Sequence, residues 1–270
     1  MSLPHHVTVE SIVKRFTAKG GDLLALDNVT LDVCDGEFLS IIGVSGCGKT
    51  TLLRLMGGLE TPTAGKVLVK GSEPREAQRH KQIGFVFQDP SLLPWRTVQQ
   101  NVLLPLQVNR QQDAAGHPRA QAILSTVGLE EFAQYYPHQL SGGMKQRVAL
   151  ARSLVFDPSL LLMDEPLGAL DELTRSAMRY ELLRIWEASR KTVVMVTHSI
   201  AEAVLLSDRV AVMTPRPGRI ADIIAIDLPR PRKPGIEREP AFLDYVERIQ
   251  RLLMTGGHGG PATGRTTALR

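Results

Sequence analysis

The stretch Gly43-Val-Ser-Gly-Cys-Gly-Lys49-Thr50 has the residue types and spacing of a loop that holds phosphate, G-x-x-x-x-G-K-[ST]. Glycines at 43, 46 and 48 let consecutive backbone N–H groups curl around phosphate oxygens, at the positive end of the helix expected to follow. Ser45, Cys47 and Thr51 lie in or beside the same loop. In this pattern Lys49 reaches the β- and γ-phosphates and the Thr50 hydroxyl ligates Mg²⁺. About a hundred residues on, LLLMDE (160–165) is an apolar run ending in two carboxylates. Asp164 is placed to hold the Mg²⁺, directly or through water. Glu165 follows it, where a carboxylate can polarise an attacking water. Without the upstream loop the same pair would read as surface acids at a strand end.

Two further polar residues close apolar runs. His198 ends TVVMVTH, and at the mouth of a phosphate site its imidazole can contact the γ-phosphate and orient water. Alone it would be read as structural. Gln88 closes GFVFQ, and its amide can ligate Mg²⁺ or water and sense the γ-phosphate. Alone it would be a loop residue. Residues 140–154, LSGGMKQRVALARSL, set Ser141, Gly142 and Gly143 before a basic, apolar-periodic helix. That stretch also suits an anion. One chain thus carries two phosphate cradles.

The elements that must position these residues follow from periodicity. VTVESIV, LLALDNVTLDV, EFLSIIG and KVLVKG read as strands, and FLSIIG leads straight into the glycine loop. TTLLRLMGGL has helical spacing and ends in a glycine pair that can cap it. IGFVF is another strand. From Pro90 to Gly116 the chain is punctuated by proline and glutamine, and the section after it, to Tyr136, looks helical, so a helical insert is expected there. DPSLLLMDEP, a helix in LTRSAMRYELLRIWEASR and the apolar run TVVMVTH follow. Strands that are apolar at every position and alternate with helices indicate a parallel sheet covered on both faces. Ligands of such sheets sit beyond the carboxyl ends of the strands. Gly43, Asp164 and His198 each fall at such an end. From Arg216, RPGRIADIIAIDLPRPRKP is strand-like and then proline-broken, AFLDYVERIQRLL is a short helix, and the last ~15 residues are expected to be disordered.

Composition excludes some function classes. The chain has 270 residues, 43% hydrophobic and 22% charged, enough for one large domain or a domain with a small appendage. No apolar run approaches the ~20 residues of a membrane-spanning helix. The N-terminal residues lack a signal-peptide core, and two cysteines, Cys34 and Cys47, suit a reducing compartment. The net charge of +4 resides after residue 214, where ten Lys/Arg meet six Asp/Glu; the rest is balanced at 22 of each sign. A basic groove for nucleic acid through the main body is therefore not expected. The basic tail is either solvated or a weak membrane contact.

In order and register, these motifs resemble the ATP-binding subunit of ATP-binding cassette (ABC) transporters. The resemblance covers roughly residues 7–220: phosphate loop (43–50), glutamine loop (Gln88), LSGG signature (140–143), acidic strand (160–165), a D-loop (GALD, 168–171) and a switch histidine (His198). It implies an α/β fold: a phosphate-loop NTPase core with a parallel sheet, an N-terminal antiparallel β subdomain and a helical insert. The ATP-binding domain would span 1–220, its helical signature subdomain about 90–157, with a C-terminal extension over 221–270. It also implies a head-to-tail dimer of two copies. Each ATP would lie between the phosphate loop of one chain and Ser141, Gly142 and Gly143 of the other, with Asp171 along the interface. That answers why one chain has two cradles. Phe16 matches the aromatic that stacks on adenine. Mg²⁺, Glu165, His198 and Gln88 complete the hydrolytic site. Two transmembrane permease subunits and, indirectly, an extracytoplasmic solute-binding protein are the implied partners, with the chain peripheral on the cytoplasmic face of the inner membrane.

QDPSLLPWRTVQQNV, LSGGMKQR, PLGALDELTR and MTPRPGRI further resemble importers of the nitrate, sulfonate and taurine type. Two positions depart from the family: Ser199 stands where aspartate is usual after the histidine, and Met144 replaces the common signature glutamine. The rival readings are a soluble, non-transport ABC ATPase and a small-molecule kinase. The first usually has two nucleotide domains or long coiled-coil insertions, and the second lacks LSGG and the switch histidine. The solute stays open in the sequence among nitrate, an alkanesulfonate, taurine, and a pyrimidine or aromatic acid.

Overall fold

The strands that are apolar throughout form the centre of the molecule, and alternation along each one explains why. In the computed structural model, which describes residues 5–18, 21–108 and 116–255, β3 (Phe38–Ile42), β5 (Ile83–Val86), β6 (Leu160–Asp164), β7 (Thr192–Thr197), β8 (Arg209–Met213) and β9 (Ile220–Ala225) make one six-stranded sheet. Its order is β5-β6-β7-β3-β8-β9, parallel except for the β8–β9 pair. Leu161 and Met163 of β6, with Val193 and Met195 of β7, bury into a core on one face. Leu160, Leu162, Val194 and Val196 bury into a second core on the other. Successive side chains point to opposite faces, so a strand covered on both must be apolar at every position.

The second core is covered by a smaller antiparallel sheet, order β2-β1-β4, built from β1 (His5–Ala18), β2 (Gly21–Cys34) and β4 (Ala64–Val69). Helix α1 (Lys49–Met56) lies between the sheets. Gly57 caps it and Gly58 takes a left-handed φ of 67°, as the glycine pair predicted. A short helix, α2 (Pro74–Arg79), precedes β5. The first core is covered by α3 (Val98–Val108), α4 (Gly116–Thr126), α5 (Gly142–Leu154) and α6 (Glu172–Ser189). The expected parallel sheet, antiparallel subdomain and helical insert are all present.

Helix α3 differs from the sequence reading, which treated the segment from Pro90 to Gly116 as punctuated. Thr97 and Gln100 form a reciprocal capping box, with N···O distances of 3.0 and 3.3 Å, and Val98, Val102, Leu103 and Leu106 are buried. Pro105 lies inside the helix. The proline and glutamines masked a local start signal.

The C-terminal part joins the main body. Strand β8, which periodicity passed over, pairs with β3, and β9 pairs with β8; the boundary drawn at 220/221 falls at the first residue of β9. Helices α7 (Ile200–Leu206) and α8 (Pro240–Thr255) share a third core with β8 and β9. Arg232 is buried and donates to the carbonyls of Val204, Leu205 and Ser207 at the end of α7, at 2.7–3.0 Å. Burial pushes its pKa down to about 10. Arg230 pairs with Asp208 at 2.8 Å and stacks on Trp186. The expected disorder at the end of the chain lies outside the described residues.

Candidate nucleotide site

Parallel register brings the candidate residues together at one edge of the sheet. Ile42 of β3 pairs with Thr197 of β7, and Asp164 of β6 pairs with Val196 of the same strand. Gly43, Glu165 and His198, each one residue past its strand, therefore emerge side by side. Between β3 and α1, residues 43–50 form the glycine loop. Gly46 and Gly48 have φ of 74° and 108°, left-handed backbone that side chains disfavour. A Cβ on Gly48 would also stand 2.7 Å from Cδ2 of Leu26. Lys49 is buried, and its Nζ donates to the carbonyls of Gly43 at 2.9 Å and Val44 at 3.0 Å. Cys47 is fully buried beneath the loop, and burial pushes its thiol pKa up.

The acid pair divides into two environments. Asp164 is buried and accepts a 2.9 Å hydrogen bond from Oγ1 of Thr50. Desolvation pushes its carboxyl above the usual range, with the Thr50 hydrogen bond opposing. Among the described residues no Lys, Arg or His nitrogen lies within ion-pair distance of it. A buried carboxylate touching a hydroxyl, without a protein counter-ion, offers the hard oxygen donors that suit Mg²⁺. Glu165 has a left-handed φ of 46° and is tied down by its N–H donating to the Val196 carbonyl at 2.9 Å. Its Oε2 stands 3.2 Å from Nδ1 of His198 and accepts from Nε2 of Gln88 at 3.3 Å. His198 and Gln88 are both exposed. One carboxylate oxygen thus gathers all three residues singled out for catalysis.

A cleft of about 300 Å³ opens over the loop. Ser45, Gly46, Gly48, Lys49, Thr50, Thr51 and Glu165 line its polar side, with Phe16, Leu23 and Ala25 on the apolar side. The Phe16 ring carries the Lys14 ammonium 4.7 Å from its centre. An aromatic face thus lies across the cleft from the donors of the glycine loop.

The second cradle stands elsewhere. Ser141 caps α5, its Oγ accepting from Met144 N–H at 3.3 Å. A Cβ at Gly143 would come within 2.6 Å of Cγ2 of Thr174, so the start of α5 packs closely on α6. Asp171 caps α6 by accepting from Thr174 N–H at 3.0 Å, and that hydrogen bond holds its exposed carboxyl below the usual range. None of Ser141, Gly142, Gly143 and Asp171 lines the cleft.

The family profile described as ABC transporter matches residues 26–168 of this chain. The chain belongs to the ABC transporter family. It is an ATP-binding cassette ATPase of the kind that drives transport. It is 50% identical to an uncharacterised ABC transporter ATP-binding protein of Methanocaldococcus jannaschii, over 91% of this chain and 90% of the relative. It is 42% identical to the nitrate import ATP-binding protein NrtD of Synechocystis, over 92% and 95%. Among solved structures it resembles an ATP-binding cassette determined as a dimer, in a post-hydrolysis state bound to ADP and Pi. The TM-score is 0.72 at 35% identity, covering 82% of this chain and 98% of that one. No helix among the described residues is long and apolar enough to cross a membrane.

Within the cassette, two features escaped sequence reasoning. Arg216, in a stretch read as strand-like and as a subfamily motif but not as part of the site, lines the cleft and donates from Nε and Nη2 to the Gly46 carbonyl. Helix α5 is tied to the glutamine loop twice: Gln146 donates to the Phe87 carbonyl at 3.5 Å, and Arg152 to those of Pro90 and Ser91 at 2.6 and 2.8 Å. No spacing rule announces either contact. Ser199, the departure from the family's aspartate, is the N-cap of α7 and accepts from Glu202 N–H at 3.3 Å. Serine and aspartate are comparable caps, which gives the exchange a physical reason. Met144, the other departure, packs on the first core.

Proposed function

We propose that this cassette hydrolyses MgATP to energise a membrane importer for small anionic solutes of the nitrate, sulfonate or taurine type. The observation that carries the hydrolytic reading is the contact of one Glu165 oxygen with both His198 and Gln88, beside the Thr50–Asp164 pair. Lys49 and the loop amides hold the phosphates, and Phe16 offers a face to the base. Thr50 and Asp164, with Gln88 as a further donor, would hold Mg²⁺, which would supply charge neutralisation to the phosphates. Glu165 accepts the proton of a water that attacks the γ-phosphorus, while the bond to the β–γ bridging oxygen breaks and ADP and phosphate leave. His198 holds Glu165 and the water in line.

Hydrolysis becomes transport through a partner copy. Ser141 and the helix N-terminus of the signature do not line their own cleft, which supports a head-to-tail dimer where they meet the nucleotide of the other chain. ATP closes that dimer and loss of the γ-phosphate reopens it. Two permease subunits, docked near Gln88 and the helical insert at the cytoplasmic face of the inner membrane, convert the motion into alternating access, and an extracytoplasmic binding protein delivers the solute. The import reading draws on the subfamily motifs and the likeness to NrtD. The test is copurification of the tagged chain with two membrane proteins, with ATPase activity that rises when the solute-loaded binding protein is added. A chain that copurifies with no membrane protein and hydrolyses ATP at full rate by itself overturns the transport reading.

A further inference from the structure

The turn between β8 and β9 is built onto the phosphate loop. Thr214 closes it, its N–H donating to the Arg219 carbonyl at 2.9 Å and its Oγ1 accepting from Arg219 N–H at 3.0 Å. Gly218 N–H donates to the Ala25 carbonyl at 2.9 Å, and Asp27 N–H donates to the Gly218 carbonyl at 3.0 Å, pinning the turn to the strand that lends Leu23 and Ala25 to the cleft. Arg219 pairs with Asp27. A Cβ at Gly218 would stand 2.1 Å from the Cys47 carbonyl oxygen, so only glycine permits this approach to the loop. The turn then holds Arg216 over the loop, where its Nε and Nη2 reach the Gly46 carbonyl at 3.3 and 3.2 Å.

Arg216 differs from its neighbour in what it faces. Arg219 has a carboxylate, whereas Arg216 has one neutral carbonyl and, among the described residues, no acidic group within ion-pair distance. It is exposed at the rim of the cleft. A guanidinium carries five N–H donors, and the Gly46 carbonyl engages two of them. An arginine held at a phosphate-binding loop, uncompensated and with donors to spare, matches the fork geometry that recognises phosphate.

We infer that Arg216 is a nucleotide-binding residue, a second cation beside Lys49 that contacts the diphosphate of the nucleotide held by its own chain. The inference rests on the reading of this cleft as the ATP site. Because the contact is to the diphosphate, ADP and ATP gain from it equally.

The test measures ADP and ATP affinity of the full chain by calorimetry for wild type, R216A, R216Q, R216K and K49A. R216Q keeps an N–H donor for the Gly46 carbonyl but removes the charge, so it separates loop support from phosphate contact. R216A and R216Q are expected to bind both nucleotides about tenfold more weakly, with R216K recovering most of the loss and with wild-type affinity falling more steeply with salt than that of R216Q. Nucleotide-free melting temperatures establish that the variants are folded; should R216A fail to fold, R216Q decides. ADP affinity of R216Q equal to wild type overturns the inference, as does a loss confined to ATP. Failure of the wild type itself to bind ADP, or binding indifferent to K49A, sinks instead the reading of the cleft.

Discussion

The Oε2 atom of Glu165 stands 3.2 Å from Nδ1 of His198, although the two residues are on different strand ends and 33 positions apart in the chain. Adjacent parallel strands β6 and β7 bring them together, and the left-handed backbone at Glu165 turns the chain sharply where the carboxylate must stay. The N–H bond of Glu165 to the Val196 carbonyl holds this disfavoured backbone, at some conformational cost, with the carboxylate facing His198 and Gln88.

That geometry makes Glu165→Gln the most direct probe of the chemistry. The amide keeps the size and hydrogen-bonding reach of the side chain but cannot accept the proton of water. The variant is expected to bind ATP and hydrolyse it at least ~100-fold more slowly in its transporter. Near-normal turnover in a steady-state phosphate-release assay would remove Glu165 from the role of base.

Asp164→Asn should separate stability from activity. Folding raises the pKa of Asp164, chiefly by burial, so the folded state disfavours the ionised form. The stability linked to this group is full below its unfolded pKa and is lost as pH rises through its raised folded value. An amide carries no such charge and can still accept from Thr50. The nucleotide-free variant is expected to melt at a higher temperature than wild type at neutral pH, with the gain vanishing at acidic pH, while hydrolysis is lost. A calorimetric scan showing lower stability at neutral pH contradicts the account.

The two cysteines should label at different rates. Cys47 is fully buried under the phosphate loop, whereas Cys34 is partly exposed on β2, and burial raises both thiol pKa values. Maleimide is expected to modify Cys34 first, and Cys47 much more slowly, with MgATP slowing Cys47 further and each Cys47 adduct abolishing ATPase activity. Mass spectrometry over time follows both. Equal rates, or Cys47 labelling unaffected by MgATP, count against this arrangement.

Sharing of sites between chains can be read from mixed dimers. One chain carries Lys49→Ala, which loses the phosphate-binding cation, and its partner carries Ser141→Arg, which crowds the signature. In a head-to-tail dimer both lesions fall in one composite site and the other remains whole. Vanadate trapping of nucleotide near half the wild-type amount is the expected result. Trapping no greater than in either homodimeric mutant would mean that each chain builds its own site.

The candidate site was legible in the sequence wherever it depends on local backbone and short spacing. Glycines at 46 and 48 signal left-handed turns because no other residue adopts them freely, and the structure shows φ values of 74° and 108° there. Runs such as LLLMD and TVVMVT announce strands covered on both faces, and their ends marked Asp164 and His198. The resemblance to the ABC family supplied the grouping of motifs that spacing alone left separate. Tertiary structure decided the rest. Arg216 reaches Gly46 across 170 positions of sequence, and nothing in RPGRI reveals that β8 pairs with β3 and carries the turn onto the loop. Helix α3 was hidden because Pro105 and the glutamines outweighed the Thr97–Gln100 cap in local reading, whereas packing of Val98, Val102, Leu103 and Leu106 settles it in the fold. The segment past residue 220 looked like an appendage because its prolines break periodicity. Burial of Arg232 against the end of α7 joins it to the body through backbone carbonyls, partners that carry no side-chain signature in sequence. Local propensity is written residue by residue, but contacts between distant segments are selected only when the whole core is packed.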